Sequence, residues 1–394
     1  MPSRPVPLPP ASLPRPPRVE VAQRARPAAG ERAAATHQAQ RGARNDTLAS
    51  HILHAPLRVC AGGDVTLGTN LIPEWATPAS RDMRARFGMA DDPASLLAAL
   101  TPVVAGSDVL LVNVESAIGT GRAESKCGPQ STNCFAFRSP PAAASALRAL
   151  TDAVVVGNVA NNHTHDAGDA GADSTVAALK RAGVLVTGAD TLATLVRTAR
   201  GDSIGVLGFY TSSDTPDARD TAAVYRHVAR AARQYPVVIA TMHLGAEGRD
   251  AQRTLDGREL FLHIDRGNPV AFAEAAVRGG AALVVGHGPH VMRAMEWRQG
   301  GALIAYSLGN LLTYGPFVLK EPMNRAAVLC ATLDSTGRIS AAELRPTMQR
   351  AAGVLVRDAT GRAAALVDSL SRLDFPLSGV QAEASGRLRP HAVP

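Results

Sequence analysis

The sequence predicts an α/β fold, and two observations predict it. Short apolar runs alternate with segments of helical spacing along most of the chain, the pattern of strands joined by helices. Run after run also ends abruptly in Asp, Asn, Glu or His. In open α/β sheets ligands bind at the carboxyl edge of the strands, so these endings place the polar groups together at one edge.

The first strand is Leu57 to Gly63, and Gly62-Gly63 then release Asp64. That carboxylate suits a metal or catalytic role; it equally suits a plain turn, where Gly-Asp is common. Asp92 to Leu100 reads as a helix, with Asp92 as its cap and Pro93 at its first position. Val109 to Val112 is the next strand and delivers Asn113-Val114-Glu115. Phe135-Ala136-Phe137 reads as a short alternating strand and Pro141 to Leu150 as a helix. The run Ala153 to Val156 is a buried strand. It feeds the most polar loop of the chain, Gly157 to Gly168, before a helix over Ala170 to Ala182. Within that loop Asn161, Asn162, His163, His165 and Asp166 exceed what a connector needs, although Asn and His are common in turns.

Leu185-Val186 and Ile204 to Phe209 are further strands, and Thr221 to Gln234 is a helix. Val237 to Thr241 is a strand ending at Met242-His243-Leu244-Gly245. A helical segment is expected through Leu255 to Ile264, broken by Gly267-Asn268-Pro269 and followed by a helix over Val270 to Val277. Leu283 to Val285 ends at Gly286-His287-Gly288-Pro289-His290, and Leu303 to Tyr306 ends at Ser307-Leu308-Gly309-Asn310. Ala326 to Leu333 and Ile339 to Leu344 are late, antiparallel strands. Histidines and carboxylates converging at strand ends are ligand types for a transition-metal site. The His287-x-x-His290 spacing is more specific than a lone His; His263 reads as a buried structural histidine and His227 as a solvated one.

The bulk numbers narrow the function classes. The 394 residues allow one large domain or two ordinary ones, and 46% hydrophobic content suffices for a sizeable core. Residues 1–55 hold eight arginines against Glu20, Glu31 and Asp46, which is most of the net charge of +7. Rich in Pro, Arg and Ala, they have the composition of a disordered tail. No basic patch with interleaved aromatics is visible, so nucleic acid is not expected as a partner. No run approaches the ~18 apolar residues of a membrane helix, so no transmembrane segment is expected. The N-terminus also lacks the apolar stretch of a secretory signal, so the compartment stays open. Cys60 and Cys330 lie in apolar runs and are expected as buried thiols. Cys127 and Cys134 bracket a polar loop and would close a small disulfide in an oxidising compartment. No Gly-x-Gly-x-x-Gly follows the first strand, which excludes a dinucleotide-binding dehydrogenase.

Taken together, Gly63-Asp64, Asn113-Val114-Glu115, Ala160-Asn161-Asn162-His163 with Asp166 and Gly168, Met242-His243-Leu244-Gly245, Gly286-His287-Gly288-Pro289-His290 and Tyr306-Ser307-Leu308-Gly309-Asn310 resemble the CapA family. These are capsule or poly-γ-glutamate biosynthesis proteins of the calcineurin-like metallophosphoesterase superfamily. The resemblance implies a four-layer αββα sandwich, two sheets face to face with helices outside. It implies one or two divalent ions (Mn, Fe or Zn) held by Asp64, Glu115, Asn162, His243, His287 and His290. His163 would be catalytic, protonating a leaving group, with Asp166 orienting it. Glu247 and Asn310 would line the pocket. An anionic polymer or a phosphoester is the implied substrate, and polymer-synthesis membrane proteins are implied partners. The alternative is a non-catalytic assembly or export subunit that keeps the fold. The superfamily usually has Asp-x-His where this chain has Asp64-Val65-Thr66. The expected organisation is a tail over 1–55, a metallophosphoesterase-like domain over 56–350, and a C-terminal extension over 351–394, partly helical and then disordered.

Overall fold

A computed structural model describes residues 53–54, 56–68, 71, 73–121, 124–128, 134–212 and 217–391. The tail expected over 1–55 thus lies almost wholly outside the described residues, but Leu53 is already buried in the core.

Two sheets form because two sets of apolar strands each have a face to hide. The larger has ten strands, with Leu57–Thr66 at its centre. Val109–Val114 lies parallel to that strand on one side, followed by Val154–Asn158 and Leu185–Thr187. On the other side Arg325–Leu333 and then Ile339–Ala351 run antiparallel, as expected. The second sheet has six strands, and its centre is the parallel set Ser203–Tyr210, Val237–His243, Leu283–His287 and Leu303–Ala305.

Alternation along the strands decides what faces what. Val59, Ala61, Val109 and Leu111 of the first sheet share one core with Val206, Ile239, Leu283 and Val285 of the second. Cys60, Leu110, Val112 and Val155 point the other way, against Leu97, Leu100, Leu147 and Leu179 of the covering helices. The outer face of the second sheet packs Val238, Ala240 and Val284 against Val224, Val228, Phe272 and Ala276, from the helices Thr221–Ala232 and Pro269–Arg278. The architecture is therefore a four-layer αββα sandwich. Among the described residues no helix is long and apolar enough to cross a membrane.

Several local expectations are corrected. Leu255 to Ile264 is not helical: Leu260–Phe261 and Ile264–Asp265 pair as a hairpin. Leu262 and His263 turn it with φ of 48° and 66°, and its apolar side chains face solvent, so their spacing reflects no buried helix face. His263 is accordingly exposed at that turn, not buried. Phe135 to Phe137 is not a strand, because the Phe137 N–H is spent on the Asp166 carboxylate at 2.5 Å. The helix Pro73–Phe87, with few apolar residues, had no readable signal.

Cys60 and Cys330 are not free thiols. They sit opposite each other on antiparallel strands, Cα atoms 4.0 Å apart, and are joined as a disulfide. Cys127 and Cys134 form the second bridge.

The C-terminal stretch is also not a partly helical appendage that runs into disorder. The helix Arg362–Asp374 contributes Ala363 and Val367 to the core between the sheets. Gln381–Ala382 and Arg387–Arg389 then extend the edge of the large sheet, with Leu388 buried. Apolar groups so far along the chain find partners only once the sheets exist.

Two expectations follow. Protein from an oxidising compartment should yield no alkylated cysteine before reduction and four after it; four reactive thiols in the native state would contradict both bridges. Removing residues 351–394 should uncover the inter-sheet core and abolish cooperative thermal unfolding, since burial of each such side chain stabilises by about 1.5–3 kcal/mol. An unchanged melting transition would contradict the core role.

Candidate metal centre

The two sheets direct the carboxyl ends of their central strands to the same edge. Asp64 stands near the end of the first strand, in register with Asn113, which is itself in register with Asn158. In the second sheet His243 and His287 are the last residues of neighbouring strands and lie in register with each other. Within each sheet, glycines let neighbouring backbones come close at this edge. A Cβ on Gly63 would lie 1.9 Å from the Gly309 carbonyl oxygen, and one on Gly286 would lie 2.0 Å from that of Tyr306. Only glycine fits in either place, which is the physical reason for the Gly-Asp and Gly-His pairs. The Asp64 N–H donates to the same Gly309 oxygen at 3.0 Å.

Five of the six expected ligands come together. Asp64 Oδ2 lies 3.1 Å from His290 Nδ1, and Asp64 Oδ1 lies 3.8 Å from His287 Nδ1. Glu115 Oε1 is 3.7 Å from His243 Nε2 and 3.6 Å from His290 Nε2. Asp64, Glu115 and His290 offer ligand atoms all within 4.8 Å of one another. The sixth, Asn162, sits in the loop after Val154–Asn158, with its Oδ1 buried and without a hydrogen bond.

The residues fit a metal by a direct test. Both carboxylate oxygens of Glu115, both ring nitrogens of His287 and Nε2 of His243 are buried with no hydrogen-bond partner. Buried polar atoms are almost always satisfied, and leaving a charged group unpaired in the interior costs several kcal/mol. Carboxylate oxygens and imidazole nitrogens of this kind gathered together are what a divalent cation would satisfy.

The electrostatics carry the same strain. Burial pushes the Asp64 carboxyl up, but the hydrogen bond and charge of His290, with His287 and His243, outweigh it and hold Asp64 well below the usual carboxylate range. Burial, then the charge of Asp64, pushes Glu115 well above its ordinary value. Burial pulls His243 well below the usual imidazole range and His287 down to about 4. His290 alone goes the other way: burial lowers it, but Glu115 and the hydrogen bond to Asp64 raise it to about 10. A proton on His290 thus occupies the positive position among the carboxylates.

Asn113 organises the centre, and sequence reading gave it no role. Its Nδ2 donates to Asp64 Oδ1 at 2.8 Å and lies 3.2 Å from His243 Nδ1. Its Oδ1 accepts from Asn158 Nδ2 at 3.0 Å and Asn161 Nδ2 at 3.1 Å. The signal available was its place at a strand end, two residues before Glu115. Asn310 plays a like part: its Oδ1 accepts from His290 Nδ1 at 2.9 Å, while its Nδ2 donates to the His290 and Met323 carbonyls.

His163 lies beside this group. Its Nδ1 is 2.7 Å from Asp166 Oδ2 and its N–H donates to Asn161 Oδ1. Burial lowers its basicity, Asp166 opposes that, and Lys126 and His290 add to it. Lys126 was also missed. Its Nζ reaches Asp166 Oδ1 at 2.6 Å and the Asn162 carbonyl at 2.9 Å. The ring of Phe137 packs on His163 at 4.8 Å, and Phe317 bridges from Phe137 to His290.

Metal loading has a definite sign with pH. Ligands must be deprotonated to bind, and His290 and Glu115 both hold protons more tightly than usual. Binding of Mn²⁺ or Zn²⁺ near neutral pH should therefore release at least one proton, and affinity should fall as pH falls. Calorimetry in two buffers of different ionisation enthalpy measures this; zero proton release would contradict a His290 that is protonated before the ion binds. Replacing Asn113 by Leu, which leaves Asp64 and His243 unbraced, should weaken the same binding by roughly 10–100-fold.

Comparisons with known proteins agree with the expected family. No curated protein matches the chain. The crystal structure of a 5'-nucleotidase precursor from Thermus thermophilus is similar, with a TM-score of 0.41 and 13% identity. The match covers 82% of this chain and 59% of that one, so the chain spans less than two thirds of that protein's length. A family profile, described as bacterial capsule synthesis protein PGA_cap, matches residues 58–314. That span runs from the first strand past the His287–His290 loop and Asn310, and the chain belongs to the bacterial capsule synthesis protein PGA_cap family.

Proposed function

We propose that the chain is a metal-dependent hydrolase that acts on an anionic surface polymer, poly-γ-glutamate or a phosphoester-bearing one, during capsule synthesis. The observation that carries this reading is the convergence of Asp64, Glu115, His243, His287 and His290 with ligand atoms buried and unpaired. Asn162 is the sixth ligand in this reading. Bound divalent ions would supply polarisation of a phosphoryl or acyl oxygen and a more acidic water.

The chain's own residues then divide the work. Asp166 accepts the Nδ1 proton of His163 and fixes the ring, so Nε2 is the atom that takes or gives a proton. Lys126 balances the Asp166 charge. Phe137 and Phe317 exclude water from the side of the centre between His163 and His290. The two disulfides point to an oxidising compartment, where the chain would work beside polymer-synthesis membrane proteins.

A second reading, a non-catalytic assembly subunit, is favoured by one observation. Thr66 stands where the superfamily has an imidazole, and its hydroxyl donates to the Glu115 carbonyl instead. One donor is therefore missing from the expected set.

Elemental analysis and turnover of a generic phosphodiester separate the two. His163→Ala should keep its metal while the rate falls ~10²–10⁴-fold, the usual contribution of a positioned acid or base. His287→Ala should lose metal, and its activity and stability should fall with it. Equal metal loss in both variants would overturn the role of His163. Metal-loaded wild type with no turnover of any ester or amide would favour the assembly subunit.

A further inference from the structure

We propose that Glu247 is a further metal ligand, held in place by Arg266, and that it supplies the donor missing at Thr66. The proposal rests on the reading of the centre as a metal site, and begins with His290. Because Asn310 Nδ2 donates to two carbonyls, its Oδ1 faces His290 Nδ1 as an acceptor. Nδ1 of His290 therefore keeps its proton, and Nε2 is the nitrogen that gives up its proton to bind an ion. That nitrogen faces Glu115 Oε1 at 3.6 Å and Glu247 Oε2 at 3.8 Å. Atoms that each lie about 2.0–2.2 Å from one ion are about 3–4 Å from one another, so these spacings suit ligands of a common ion.

Glu247 is fixed before any ion arrives. Its other oxygen, Oε1, accepts from Nη2 of the buried Arg266. The backbone around it is clamped from both sides. Leu244 N–H and Gly248 N–H donate to the carbonyls of His287 and Pro289, in the loop that carries the histidines. Gly245 N–H donates to the Arg266 carbonyl, and Ala246 N–H to Glu259 Oε2 at 2.7 Å. Glu259 is in turn paired with the buried guanidinium of Arg293. A rigid carboxylate with one oxygen on a guanidinium and one turned to a ligand nitrogen is the usual form of an oriented metal ligand.

The competing account makes Glu247 only a counter-ion for Arg266. Calorimetric titration of the full chain with Mn²⁺ separates the two, alongside thermal melts in chelator. Glu247→Gln should weaken binding of one ion by at least ~10-fold. Arg266→Gln, which keeps the carboxylate, should weaken it clearly less. Both variants break the same ion pair and should melt at similar temperatures without metal. Wild-type affinity in Glu247→Gln, or equal losses in the two variants, would overturn the proposal. Wild type that binds no Mn²⁺ or Zn²⁺ would overturn the metal-centre reading itself, and with it this one.

Discussion

The structure depends on the cost of burying ionisable groups without hydrogen-bond partners. Glu115 is fully buried and neither of its oxygens is hydrogen-bonded. His287 is almost as deep, and neither of its nitrogens is paired. Such groups are not kept for stability, because a buried polar group left without a hydrogen-bond partner costs about 1–3 kcal/mol. They persist because the rest of the molecule over-determines them. The cores on either side of the large sheet and the covering helices hold the strand ends where they are. An ion that binds only the native state would stabilise that state by mass action.

Two sheets are needed to build it. Asp64 and Glu115 come from the large sheet, and His243, His287 and His290 from the small one. The small-sheet side supplies the three histidines and Glu247, and Asp64 and Glu115 reach them only from the large sheet. The joint between them is made by amides, groups with little chemistry of their own, and glycines tighten the backbone within each sheet. Asn113 links Asp64 of one sheet to His243 of the other, and Asn158 and Asn161 saturate its oxygen. Gly63 and Gly286 let the backbones approach to a distance that no Cβ tolerates. Precision at the centre therefore comes from residues that would not titrate, bind or react.

The chemistry is graded across the site. Nearest the carboxylates, His290 is pushed toward the charged form, whereas His243 and His287 are pushed toward the neutral form that binds metals. His163 stands to one side with a carboxylate behind it and an ammonium behind that. Proton transfer and ion binding are thus assigned to different histidines by their neighbours, although the four side chains are chemically identical. Lys126, one of only three lysines in the chain, stands beside the disulfide Cys127–Cys134, so a covalent link anchors the loop that balances Asp166.

The sequence by itself determined the α/β alternation, the strand-end positions of Asp64, Glu115, His243 and His287, and the family. These are local properties: strand periodicity and a polar residue after an apolar run need no distant partner to be read. It was silent where the partner is far away. The Cys60–Cys330 bridge needs the register of two strands 270 residues apart. Residues 351–394 read as an extension because Val367 and Leu388 have nothing local to pack on, and the 255–264 segment misled because its exposed apolar groups mimic a buried face. Asn113 and Lys126 were legible only as polar letters until the sheets brought Asp64, His243 and Asp166 to them. Tertiary structure alone decided which nitrogen of His290 is free and which carboxylate faces it, because tautomer and ligand geometry are set by hydrogen bonds between segments that meet only in the folded chain.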